Sequence, residues 1–209
     1  MTEMTEGKEK LRLGKRIITF IGPEGSGKTT QALKLAEESG MPYVTTGDTL
    51  RDLAENDAGE LGDECRAMFA AGAYLSGETL LKILVNRFGK EDVADGLILD
   101  GGLRTLEETV AFQSMLDEAD LNLPMTVIYL QIPTETTFER LVSGVNARNR
   151  DDDTEEKVAS RLSKFNLRLG ERLEEILKQP DWDLLPINAT TEADDVYTHI
   201  CQALTHSRT

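Results

Sequence analysis

Residues 22–29 read GPEGSGKT, which places Gly22, Gly27, Lys28 and Thr29 at the spacing of a loop built to hold nucleotide phosphates. The glycines let backbone N–H groups turn inward around an anion, and a helix opening behind them adds the positive end of its dipole. At that spacing Lys28 reaches the outer phosphates of a nucleoside triphosphate and the Thr29 hydroxyl can ligate Mg²⁺. Pro23, Glu24, Gly25 and Ser26 complete the loop, and Thr30 continues into the helix. A glycine-rich turn with no ligand is the alternative. The flanks argue against it, because RIITFI over 16–21 reads as a buried strand and TTQALKLAEESG as a helix ending at Gly40.

The rest of the chain alternates strand and helix, the sign of a parallel sheet covered on both faces. A short strand over 43–45 leads to a turn at Gly47 and a helix carrying Arg51. Helices follow over 59–71 and 77–88. The strand LILD over 97–100 delivers Asp100 at its carboxyl end and leads through GGLRT into another helix. The strand MTVIYLQ over 125–131 precedes a helix over 134–142 and a charged loop. The periodicity predicts one long amphipathic helix over 154–178, with Asp153 as its cap and Glu156 three residues on. A last strand over 183–187 and a helix over 192–204 close the pattern. The fold class is α/β, three layers around a five-stranded parallel sheet. Ligands bind such sheets beyond the carboxyl ends of the strands, where 22–29, 46–51 and 100–104 converge.

Composition narrows the partners. Lys and Arg number 23 against 38 Asp and Glu, a net charge of −15, which argues against nucleic acid or an anionic membrane as a general partner. No apolar run approaches a membrane span, and the polar start lacks the apolar stretch of a secretory leader, so the expected location is cytoplasmic; the chain is expected to act as a monomer. Cys65 and Cys201 are read as reduced packing residues. His199 and His206 stand away from every motif, and Trp182 is expected to pack the last strand.

Four further segments line up in order behind the loop: TTGDTLR, GAYLSGE, LILDGGLRT and ERLVSGVNARNRDDDTEEKVASRL. Together with GPEGSGKTTQ they resemble the adenylate kinase family of nucleoside monophosphate kinases, in its short-lid form. The resemblance implies the P-loop NTPase fold and reversible, Mg²⁺-dependent phosphoryl transfer from ATP to AMP, giving two ADP. It implies a single domain over 1–209, with a core of 16–45, 91–142 and 154–205, an acceptor-binding helical insertion over 46–90 and a short lid over 143–153. ATP would meet residues 22–30 and Arg140. The acceptor would meet Thr46, Gly47, Asp48, Arg51, Gly72, Tyr74, Leu75, Gly101, Arg104, Glu108, Arg150 and Arg161. Lys28, Arg104, Arg140, Arg150 and Arg161 would be catalytic, and Thr29 and Asp100 would hold Mg²⁺, Asp100 through water. Arginine suits this work because its planar fork binds phosphate oxygens in pairs and keeps its charge.

The chain departs from the family pattern at three places. Gly102 and Leu103 stand where a bulky residue and a proline usually precede the arginine; a proline would fix the backbone and Gly102 loosens it. Glu108 stands where adenylate kinases carry a Gln that reads the adenine. An ionised Glu accepts but cannot donate, and with Thr105 it also forms a capping box. Gly144 occupies a position where short-lid relatives place another arginine, a charge Arg148 could supply. These departures keep two alternatives open: the same chemistry on CMP or UMP, and a nucleotide-binding regulator that has lost turnover.

Overall fold

A computed structural model describes residues 11–71, 77–145, 147 and 154–206. Apolar residues alternate along the central strands and send successive side chains to opposite faces. Ile17 and Ile21 of β1 (Arg16–Ile21) and Leu97 and Leu99 of β3 (Gly96–Asp100) face one core, while Ile18, Phe20 and Ile98 face the other. Both faces must therefore be covered by helices. With β2 (Tyr43–Thr45), β4 (Met125–Gln131) and β5 (Trp182–Asn188) the strands form one five-stranded, wholly parallel sheet in the order β2-β3-β1-β4-β5. This is the α/β P-loop NTPase architecture expected from the sequence.

Helices α1 (Lys28–Ser39) and α9 (Ala193–His206) cover one face, burying Ala32, Leu35, Val196 and Ile200. On the other face lie α4 (Gly77–Phe88), α5 (Leu106–Glu118) and α8 (Leu169–Lys178), which contribute Leu84, Phe88, Phe112, Met115 and Ile176. Trp182 packs edge-on to Phe112, centroids 5.9 Å apart, and its indole N–H donates to Gln113 at 2.9 Å. Between β2 and β3 the chain also forms α2 (Thr46–Asn56) and α3 (Glu60–Ala71). Cys65 is a buried free thiol and Cys201 a half-buried one.

Four local expectations are corrected. The helix predicted over 154–178 is two: α7 (Glu155–Asn166) and α8, separated at Leu167 and Arg168, where Arg168 takes φ 56°. Arg168 holds that left-handed turn by donating to both carboxylate oxygens of Glu171 and to Glu107. The cap of α7 is Thr154, whose hydroxyl accepts from the Lys157 N–H, instead of Asp153, which lies outside the described residues. Gly47 lies in the first turn of α2, because Thr45 already caps that helix by accepting from the Asp48 N–H at 2.9 Å. The helix predicted over 134–142 is α6 (Thr134–Phe138), followed by a wider π-type turn over Glu139–Ser143. The Gly144 N–H closes it on the Glu139 carbonyl, five residues back, at 2.8 Å.

Candidate active site at the carboxyl edge of the sheet

The loop between β1 and α1 needs its glycines for two different reasons. Gly22, Gly25 and Gly27 take φ of 152°, 77° and 91°, in the region that side chains disfavour. At Gly22 space forbids a side chain as well: a Cβ would lie 2.7 Å from the Leu130 carbonyl and from the Ser26 hydroxyl. No side chain caps α1 at Gly27, so an anion is a natural partner for its first N–H groups. The Lys28 ammonium stays over the loop, donating to the carbonyls of Gly22 at 2.8 Å and Pro23 at 2.9 Å.

β3 delivers Asp100 beside this loop. Its Oδ2 accepts from the Thr29 hydroxyl and from the Tyr43 hydroxyl, each at 2.7 Å. The register explains the second contact. Tyr43 pairs with Ile98 and Thr45 with Asp100, so Tyr43 stands one pleat back on the neighbouring strand and reaches forward. Burial first, and then the hydrogen bond to Asp100, raise the Tyr43 phenol above its ordinary pKa, so it remains a donor at neutral pH.

At the entry to α2, Asp48 is held from both sides. Its Oδ2 accepts from the Thr45 hydroxyl at 2.7 Å and its Oδ1 from Arg51 at 2.6 Å. These partners, Thr45 foremost, hold its carboxyl below the usual range. The Thr46 hydroxyl donates to the Gly101 carbonyl at 2.7 Å and ties α2 to the end of β3. Gly47 and Gly101 serve as seats for two arginines. A Cβ on Gly47 would lie 3.4 Å from the Arg51 guanidinium, and one on Gly101, where φ is 109°, would lie 2.7 Å from that of Arg104.

The turn after Gly101 is strained. Leu103, almost wholly buried, takes φ 53°, a conformation that costs a non-glycine residue about 1–2 kcal/mol. A proline, locked near −65°, cannot adopt it, so the departure from the family pattern at Leu103 corresponds to a different backbone. Thr105 caps α5, accepting from the Glu108 N–H at 3.1 Å; the Glu108 carboxylate accepts from the Arg104 N–H at 2.8 Å, one residue short of the usual capping-box partner. Thr46, Leu80, Leu84, Gly102, Glu108 and Phe112 are among the residues lining a cleft beside this turn.

Two further arginines converge on the phosphate loop from the far side of the sheet. Arg140, in the π-type turn, donates to the carbonyls of Gly25 at 3.0 Å and Ala189 at 2.9 Å. On α7, the Arg161 Nε lies 2.5 Å from Glu24 of the loop. Each arginine thus has one partner in the loop, Gly25 for Arg140 and Glu24 for Arg161, where helix neighbours would have been the ordinary ion-pair choice. A Cβ at Gly144 would lie 2.4 Å from the Glu139 carbonyl. The π-type turn therefore leaves no room for an arginine there.

A family model described as Adenylate kinase matches residues 20–177. An adenylate kinase of Mycolicibacterium vanbaalenii is 35% identical over 187 residues, covering 90% of this chain and 98% of the relative. One of a Mycobacterium species (strain MCS) is 31% identical over the same shares. A third, from Stenotrophomonas maltophilia (strain R551-3), is 38% identical over 151 residues, 71% of this chain and 79% of the relative. The chain belongs to the adenylate kinase family. Its activity is that of an adenylate kinase, a nucleotide-binding phosphotransferase.

Within this adenylate kinase, Lys28, Thr29 and Asp100 lie together at the carboxyl edge of the sheet, Arg51 and Arg104 pack over neighbouring glycines, and Arg140 and Arg161 reach the loop. Gly72, Tyr74, Leu75, Arg148 and Arg150 lie outside the described residues. Tyr43 is a site residue that sequence reading missed. Its only signal is parity with Thr45 on the same strand face, which becomes informative once β2 is known to pair with β3. Among the described residues, no helix is long and apolar enough to cross a membrane.

Proposed function

We propose that this adenylate kinase transfers the terminal phosphoryl group of ATP to AMP, giving two ADP, with ATP on the 22–30 loop and AMP between α2 and the turn after β3. The observation that carries this reading is the meeting of Lys28, Thr29 and Asp100 with Arg51 and Arg104 at one edge of the sheet. An oxygen of the acceptor phosphate attacks the γ-phosphorus, and the bond to the ATP β-phosphate oxygen breaks. The acceptor is already an anion at neutral pH, so no general base is needed. Catalysis is then positioning and charge stabilisation. Lys28 and the loop N–H groups hold the donor phosphates, Arg51 and Arg104 hold the acceptor, and Arg140, Arg150 and Arg161 gather at the transferring group.

The Thr29 hydroxyl and Asp100 carboxylate form an all-oxygen donor pair suited to Mg²⁺, which keeps several waters and binds through few protein groups. When bound with ATP, the ion neutralises charge on the β- and γ-phosphates. Residues 143–153 act as a short lid that excludes water, the competing acceptor. The core, insertion and lid follow the boundaries implied by the resemblance. In this reading the protein acts on nucleotides, as a monomer in the cytoplasm.

Glu108 is chiefly a helix cap in this reading, because its carboxylate already holds the Arg104 N–H. The test is ADP formation from Mg-ATP with AMP, CMP, UMP, GMP, dTMP or no acceptor, beside Lys28→Ala. A strong AMP preference is expected, with turnover in the variant down about 100-fold or more. A preference for another base would make Glu108 the base reader. No transfer to any acceptor, with ATP and AMP still bound, would favour the regulator.

A further inference from the structure

Arg172, on α8, is the largest fully buried side chain among the described residues, 2% exposed. It falls within the span predicted as one long amphipathic helix, and the sequence reading gave it no role. Its Nη1 donates to the carbonyl of Leu103 at 3.1 Å and of Arg104 at 2.6 Å, and its Nη2 to that of Phe165 on α7 at 2.5 Å. The guanidinium also stands 5.0 Å from the Phe165 ring centroid. Among the described residues it has no carboxylate at ion-pair distance, and its Nε has no partner. Burial pulls its pKa down, with the field of Glu108 opposing.

A buried guanidinium held only by carbonyls is a poor device for stability, because an apolar side chain of similar volume often serves as well or better. Its contacts suggest a different role. The left-handed turn at Leu103 aims two successive carbonyls at one nitrogen of Arg172. Glu108 takes the Arg104 N–H, so both polar groups of the Arg104 backbone are held, one by each side chain. Phe165 lies one helical turn beyond Arg161 on α7, so the same guanidinium links the turn bearing Arg104 to the helix bearing Arg161. We propose that Arg172 is a positioning residue, which fixes Arg104 for the acceptor phosphate in a turn that lacks a proline. This rests on Arg104 holding the acceptor's phosphate.

The test measures Michaelis constants for AMP and ATP, with melting temperature, in wild type, Arg172→Met, Arg104→Ala and the double variant. In Arg172→Met the AMP constant is expected to rise about tenfold, the ATP constant to stay within about twofold, and melting to be unchanged or higher. The double variant should be no worse for AMP than Arg104→Ala alone, because both changes remove one function. An unchanged AMP constant in folded Arg172→Met, while Arg104→Ala raises it, overturns the proposal. So does an equal rise for both nucleotides with lowered melting. If Arg104→Ala itself leaves the AMP constant unchanged, the assignment of Arg104 is what fails. Should Arg172→Met not fold, Arg172→Lys, which keeps the charge and loses the fork, is read the same way; failure of both to fold would assign Arg172 to stability and overturn the proposal.

Discussion

Arg161 on α7 and Glu24 in the phosphate loop form an ion pair, with Nε and Oε2 2.5 Å apart. The pair places a negative charge inside a loop built for anions and sets a positive charge beside it. Glu24 is about two-fifths exposed, so the pair adds at most about 1 kcal/mol to stability. Its larger effect falls on the nucleotide. Glu24→Gln removes a charge that repels phosphate, and the Michaelis constant for ATP is expected to fall about two- to fivefold with melting nearly unchanged. Steady-state kinetics at low ionic strength, where the effect is largest, would show it. A higher ATP constant would mean that the pair preorganises the loop.

Tyr43→Phe removes one of the two hydroxyls that orient Asp100 while leaving the ring in place. A lost supporting hydrogen bond of this kind weakens metal binding about tenfold. The Mg²⁺ concentration for half-maximal activity is therefore expected to rise by about that factor, while nucleotide binding without metal, followed by calorimetry, should not change.

The same phenol gives a pH dependence with a definite sign. Its raised pKa means that the folded chain keeps a proton which the unfolded chain releases near pH 10. The stability it contributes is full below about that pH and declines as pH rises beyond it. Tyr197 behaves alike, raised first by burial and then by its contacts with Cys201 and Glu38. Melting temperatures across the alkaline range should fall less steeply in Tyr43→Phe than in wild type, the remaining slope belonging to Tyr197 and to other groups whose pKa the fold raises, the Cys65 and Cys201 thiols among them.

Gly101→Ala puts a Cβ 2.7 Å from the Arg104 guanidinium at a φ of 109°. The side chain must move, and the backbone strain adds a cost of about 1–3 kcal/mol. The Michaelis constant for AMP should rise about tenfold or more, with that for ATP little changed, the asymmetry marking loss of the acceptor phosphate contact.

Leu103→Pro would restore the residue that the family pattern carries, yet this backbone cannot accept it. With φ at 53°, the substitution should destabilise the chain by about 2 kcal/mol or more, read from denaturant unfolding. Unchanged stability would show that the turn can refold into the proline-type geometry.

Much of the site was legible because phosphate binding is encoded locally. Gly22, Gly27, Lys28 and Thr29 work through a few consecutive residues, and the strand before them and the helix after them carry their own periodicity. The bounds of β1, α4 and β4 agree with the sequence reading for the same reason. Where one local signal masked another, the reading slipped: a continuous polar periodicity hid the left-handed break at Arg168, and the helical pattern before Gly144 hid a π-type turn.

The sequence by itself determined that a phosphate loop sits on an alternating strand and helix scaffold, with arginines spaced to meet two nucleotides. Only the tertiary structure decided which residues hold those groups in place. Tyr43 reaches Asp100 because β2 pairs with β3, Glu24 meets Arg161 because α7 folds back over the loop, and Arg172 finds Leu103 and Arg104 because burial leaves it those carbonyls as partners. Spacing along a chain sets helix and strand period, whereas contacts between distant segments depend on strand register and on what each buried polar group can find to bond.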